Sequence, residues 1–91
     1  MKEETINMAF YRPEDWQRLL SIADDREKLH NTWDEWHQEY QKSRKFLASE
    51  GFEVNDVVVD IDKLIGFCFQ NGIRNDGKAR SQFVSNIDSS N

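Results

Sequence analysis

Hydrophobic positions along this 91-residue chain change period several times, and each change marks an element. Ile6, Met8 and Phe10 fall on one side with a period of two. That predicts a short strand over residues 5–11 or, equally, an arm docking by its aromatics. Trp16, Leu19, Leu20 and Ala23 follow at i, i+3, i+4 and i+7, a helical stripe. Pro13 suits a first helical position, and Glu14 and Asp15 favour the positive end of the helix dipole. The first helix is therefore predicted over about residues 13–23.

Leu29, Trp33, Trp36 and Tyr40 then recur at alternating steps of four and three, a stripe that extends through Arg26 and Ser43 to Ile22 and Leu47. At ~100° per residue these side chains share one face of a long helix, predicted over about residues 25–49. On one continuous helix its centre would lie ~120° from that of the Trp16 stripe. Asp24 and Glu27 match a D-x-x-E form of the capping box at the changeover. The pattern favours a break into two helices over one unbroken helix with two buried faces.

Gly51 suits the left-handed position after the second helix, with Phe52 placed to meet Leu47 in a Schellman closure. Val57, Val58 and Val59 disfavour a helix and predict a strand within 54–61 buried on both sides. Asp60 or Asp62 can cap the next helix, whose inner stripe is Ile61, Leu64, Ile65 and Cys68 beside Phe67 and Phe69. Gly72 closes it, and Asn75 or Asp76 caps a last helix with Ala79, Phe83, Val84 and Ile87 inside. Residues 88–91 read as a frayed tail. The expected fold is α+β and predominantly helical, in the order β-α-α-β-α-α, as one domain over 1–91 whose first twelve residues are an arm or strand.

Composition sharpens this picture. Hydrophobic residues make up 37% and charged residues 32%, so the core is small and depends on its six Phe, three Trp and two Tyr. A domain of this size hides only ~60–65% of its unfolded surface. The 25–49 helix would span ~36 Å against a radius of gyration near ~12 Å, leaving part of its stripe for a second subunit. The valine strand likewise needs a partner edge. Both shortages point to a homodimer or another protein partner, with Trp33, Trp36 and Tyr40 as the candidate partner-binding residues.

The net charge of −5 opposes nucleic-acid binding, which relies on clustered Lys and Arg. Residues 63–91 are mildly basic, however, with Lys63, Arg74, Lys78 and Arg80 against Asp76 and Asp88. Arg74, Lys78 and Arg80 are candidates to hold an anion at a helix N-terminus. The two C-terminal helices joined through Gly72 suggest helix-turn-helix, but Lys78 and Ser81 fall where its second helix needs apolar packing. Met1-Lys2-Glu3-Glu4 begins no signal peptide, and no apolar run reaches membrane length, so the cytoplasm is the expected compartment.

Two constellations suggest metal chemistry. His30, Asp34 and His37 share one side of the second helix, where imidazole and carboxylate ligands could gather in a bundle. The competing reading is a solvated shoulder with an i,i+4 contact between His30 and Asp34. Asp60 and Asp62 close a valine run, and residues 57–62 resemble the Asp-x-Asp motif of haloacid-dehalogenase-type phosphatases and metal-dependent glycosyltransferases. That resemblance covers six residues and implies a metal-bound carboxylate pair, whereas both families have folds far larger than 91 residues. Cys68, the single cysteine, is read as a core residue. With no glycine-rich phosphate loop and no nucleophile elbow, no cofactor is expected. The expected function is a small non-catalytic interaction or regulatory domain. The alternatives are a nucleic-acid-associated regulator using the basic hairpin and a small metal-dependent hydrolase.

Overall fold

β1 (Thr5–Phe10) and β2 (Glu53–Val58) lie side by side in parallel, with Thr5 opposite Glu53 and Phe10 opposite Val58. The N-terminal segment is thus a strand, and its partner is the valine run of the same chain. A parallel pair needs a crossover, which here consists of α1 (Trp16–Ile22) and α2 (Trp33–Ser49). After β2 come α3 (Ile61–Asn71) and α4 (Gly77–Ser89), so the fold is α+β and mostly helical. The computed structural model describes residues 4–89, with side chains as far as Asn86. The expected inner position of Ile87 and the residues 90–91 of the predicted tail lie outside that description. Asp88 and Ser89 of that predicted tail fall within α4.

The start of α2 corrects the sequence reading. Backbone at Ala23 and Leu29 is extended, a short 3-10 turn fills Arg26–Lys28, and the helix begins only at Trp33. Thr32 and Glu35 form the capping box there, each side chain bonded to the other's backbone N–H. Asp24 is not a cap because its carboxylate accepts from the Asn75 amide at 2.7 Å. Neighbouring Asp25 is drawn to Arg80 at 2.8 Å. Seventeen residues give α2 a length of ~25 Å, within a body measuring 41 × 30 × 19 Å. The long overhanging helix is therefore absent, and with it one reason for expecting a second subunit.

Local signals elsewhere hold. Gly51, at φ 95°, closes α2 as the Phe52 amide reaches the Leu47 carbonyl and the Gly51 amide that of Ala48, both at 3.1 Å. Gly72, at φ 61°, closes α3 in the same way through Ile73 and Cys68. Asp60 caps α3 through the Lys63 amide, and Asp76 accepts from the Ala79 amide at the start of α4. The core joins Tyr11, Trp16, Leu19 and Leu20 to Val59, Ile61, Leu64 and Cys68, with Ala79, Phe83 and Val84 from α4. β2 is not buried on both sides: Val59 is fully buried but Val58 is 52% exposed. Val58, paired with Phe10, borders an open cleft against His37, Tyr40 and Arg44 of α2. Ile65, expected inside α3, is also exposed.

Candidate functional site

The stripe on α2 meets β1. Trp36 sits at its centre, stacked on Trp16 at 5.3 Å and edge-on to Phe10 and Tyr11 at 5.7 and 5.4 Å, with Tyr40 at 5.0 Å. Trp33 donates its indole N–H to the Tyr11 carbonyl at 2.7 Å. The three aromatic candidates are therefore spent largely within the chain: Tyr40 is buried, and Trp33 and Trp36 are half-buried. Each ring pair adds about 0.5–1.5 kcal/mol beyond its burial. The stripe is chiefly a wall of the core, and only the flanks of Trp36 and Tyr40 reach open clefts.

Two charged networks brace this wall. Tyr40 donates to Asp56, and the Arg44 guanidinium grips both oxygens of that carboxylate at 3.0–3.2 Å. The Arg44 hydrogen bonds hold the Asp56 pKa below the usual carboxylate value despite some burial, and the Tyr40 hydroxyl helps. Burial and the same carboxylate push the Tyr40 pKa up. The second network lies deeper. Arg80 is only 6% exposed; it donates to the Asn75 carbonyl and side-chain oxygens at 3.1 and 3.0 Å and pairs with Asp25 at 2.8 Å. Burial raises the Asp25 pKa, but the Arg80 hydrogen bond and charge outweigh it and leave the net shift downward. Tyr11, packed nearby, is pushed up to about 12, mainly by burial.

This geometry divides the anion-binding candidates. Arg80 faces inward with its charge matched by Asp25, whereas Arg74 and Lys78 are exposed beside Asp76 along two shallow clefts. The metal candidates are dispersed as well. His37 lies flat on Trp33 at 4.3 Å, His30 is half-exposed, and Asp34 is exposed in the first turn of α2. Asp60 is occupied as a helix cap, and Asp62 pairs with Arg18. Among the described residues no group of three or more His, Cys, Asp or Glu could hold a metal ion. Cys68 is buried, points its thiol toward the Arg74 carbonyl at 3.8 Å, and has its pKa raised by burial. That environment opposes a thiolate nucleophile.

Among the described residues, two further surfaces stand out that the sequence pattern did not single out. One is the outer side of α3, where Phe69 is 86% exposed between Ile65 at 36% and Ile73 at 38%. Ile65 and Phe69, four positions apart, share one side of α3, and Ile73 follows in the turn past Gly72. Their spacing was visible in the sequence, but the apolar arc of α3 spans about 200° and the pattern does not say which part of it stays outside. The other is a cleft of about 400 Å³ beside β1, bounded by α2 and α4. Among the described residues no helix is long and apolar enough to cross a membrane. No family model, no curated protein and no solved structure matches the chain.

Proposed function

We propose that the chain is a non-catalytic protein-interaction module that pairs with a second copy of itself through the outer side of α3. The supporting observation is the exposed row Ile65, Phe69 and Ile73. Phe69 lies at the middle of the row, so two antiparallel copies of α3 crossing there would each set Phe69 beside Ile65 and Ile73 of the other. That is a self-complementary, isologous arrangement. Burying the exposed fraction of the row on both copies is worth about 15 kcal/mol gross as an upper bound. Lost translational and rotational freedom is of the same order. The expected complex is therefore weak, in the micromolar to millimolar range.

Sedimentation from about 10 µM to about 1 mM tests this. The expected result is a weight-average mass that rises from one chain toward two. Phe69→Asp, which alters an exposed side chain, is expected to stay at one chain with unchanged circular dichroism. A wild-type mass of one chain throughout, or a Phe69→Asp variant that pairs as wild type does, would remove the reading.

A further inference from the structure

We infer that the cleft beside β1 binds an extended, uncharged peptide segment, which adds to the sheet as a third strand. This site is separate from α3 and does not depend on self-association.

Register decides which backbone groups of β1 are free. The Glu53 amide donates to the Glu4 carbonyl and the Val59 amide to the Phe10 carbonyl, each at 2.9 Å. In a parallel ladder with this register, β1 bonds to β2 through its even-numbered residues. The backbone N–H and C=O groups of Thr5, Asn7 and Ala9 therefore point the opposite way, to the free edge. Asn7 and Ala9 line the cleft at that edge. Paired backbone is what such an edge lacks, and an extended peptide supplies it with alternating donors and acceptors.

The walls define the occupant. α2 stands on one side with Trp36 and Tyr40, and α4 on the other with Ser81 and Val84. The β1 edge opens into the cleft between these two helices, so an incoming strand meets a wall on each side, which a single extended segment fits. The charged side chains lining the cleft are Glu39 and Arg80. Glu39 is matched by Lys42 at 3.4 Å and Arg80 by Asp25 at 2.8 Å. A neutral segment therefore complements the cleft better than a basic or acidic one. Side chains of an added strand alternate between the two faces of the sheet. Those on the side of Met8, Trp36 and Tyr40 meet apolar and aromatic surface, and those on the side of Asn7 meet the Ser81 hydroxyl and an amide that already bonds to Val84 and Asn55. The preferred segment alternates apolar residues with Ser, Thr or Asn.

The test uses the whole isotope-labelled chain and a pool of blocked hexapeptides with Val, Ile or Phe alternating with Thr or Ser. The expected result is saturable movement of the Thr5, Asn7 and Ala9 amides and the Trp36 indole signal. A pool N-methylated on the residues that face β1 is expected to bind at least tenfold more weakly, because it cannot donate to the strand. Ser81→Trp, which fills the cleft from an exposed position, is expected to abolish the response while circular dichroism is unchanged. Three results would each overturn the inference: no movement of these amides at millimolar peptide, equal binding of the N-methylated pool, or undiminished binding by Ser81→Trp. None of them bears on pairing through Phe69, which is read from signals of α3.

Discussion

Replacing Asp25 by Ala removes the carboxylate that matches Arg80 and leaves the rest of the site in place. The Arg80 and Asp25 side chains are only 7% and 12% exposed, so water cannot readily substitute. Arg80 would keep its bonds to the Asn75 carbonyl and side-chain oxygens but carry an unmatched charge inside the core. Breaking one side of a buried pair costs about 3–5 kcal/mol, a large part of the ~5–13 kcal/mol expected for a domain of 91 residues. Removing both charges with Asp25→Ala/Arg80→Met relieves that penalty. The double variant is therefore expected to be more stable than the sum of the singles allows, by about 2–3 kcal/mol. Urea unfolding followed by fluorescence reads the cycle, because Trp16 and Trp36 pack against Tyr11 in the same core. An Asp25→Ala loss below about 1 kcal/mol, or strict additivity in the cycle, would refute the view that Arg80 is an internal structural charge.

Gly51→Ala is expected to cost more than 1 kcal/mol, since φ 95° is strained for any L residue, whereas Gly72→Asn at φ 61° is expected to cost only a few tenths; thermal unfolding separates them. Thr32→Ala removes the cap of α2 and is expected to cost about 1 kcal/mol in urea unfolding, while Asp24→Ala leaves the helical circular dichroism of α2 intact. Asp25 and Asp56 have lowered folded pKa values, so they bind fewer protons folded than unfolded and stabilise the fold above about 3.8; that contribution is lost as pH falls below it. Tyr11 has the opposite sign: burial penalises its phenolate, so the fold loses stability as pH climbs from about 10 through about 12. Unfolding measured against pH is therefore expected to show loss at both ends.

Legibility in the sequence followed the range of the interaction that decided each feature. The closures at Gly51 and Gly72 and the caps Asp60 and Asp76 depend on residues a few positions apart, and they were readable. The start of α2 was not, because Asp24-x-x-Glu27 and Thr32-x-x-Glu35 are both capping boxes by pattern. Bonds from Asp24 to Asn75 and from Asp25 to Arg80 chose between them, across separations of 51 and 55 residues. Arg80 itself left a trace: it lies three and four positions before Phe83 and Val84, on the core side of α4. Its partner lay too far along the chain to be read. The aromatic stripe of α2 was recognised as a packing surface, but that β1 covers it is a tertiary fact. On α3, apolar residues at 61, 64, 65, 67, 68 and 69 spread over an arc of about 200°. Only the arrangement of its neighbours shows that Ile61, Leu64 and Cys68 face in and Phe69 faces out.

Self-pairing through α3 is tested most directly by isotope-filtered NMR on a mixture of labelled and unlabelled chains at millimolar concentration. Pairing of this kind gives intermolecular contacts between the Phe69 ring of one copy and the Ile65 and Ile73 methyl groups of the other, lost in Phe69→Asp. A spectrum without intermolecular contacts, or with contacts centred on Trp33, Trp36 and Tyr40 of α2, would contradict it.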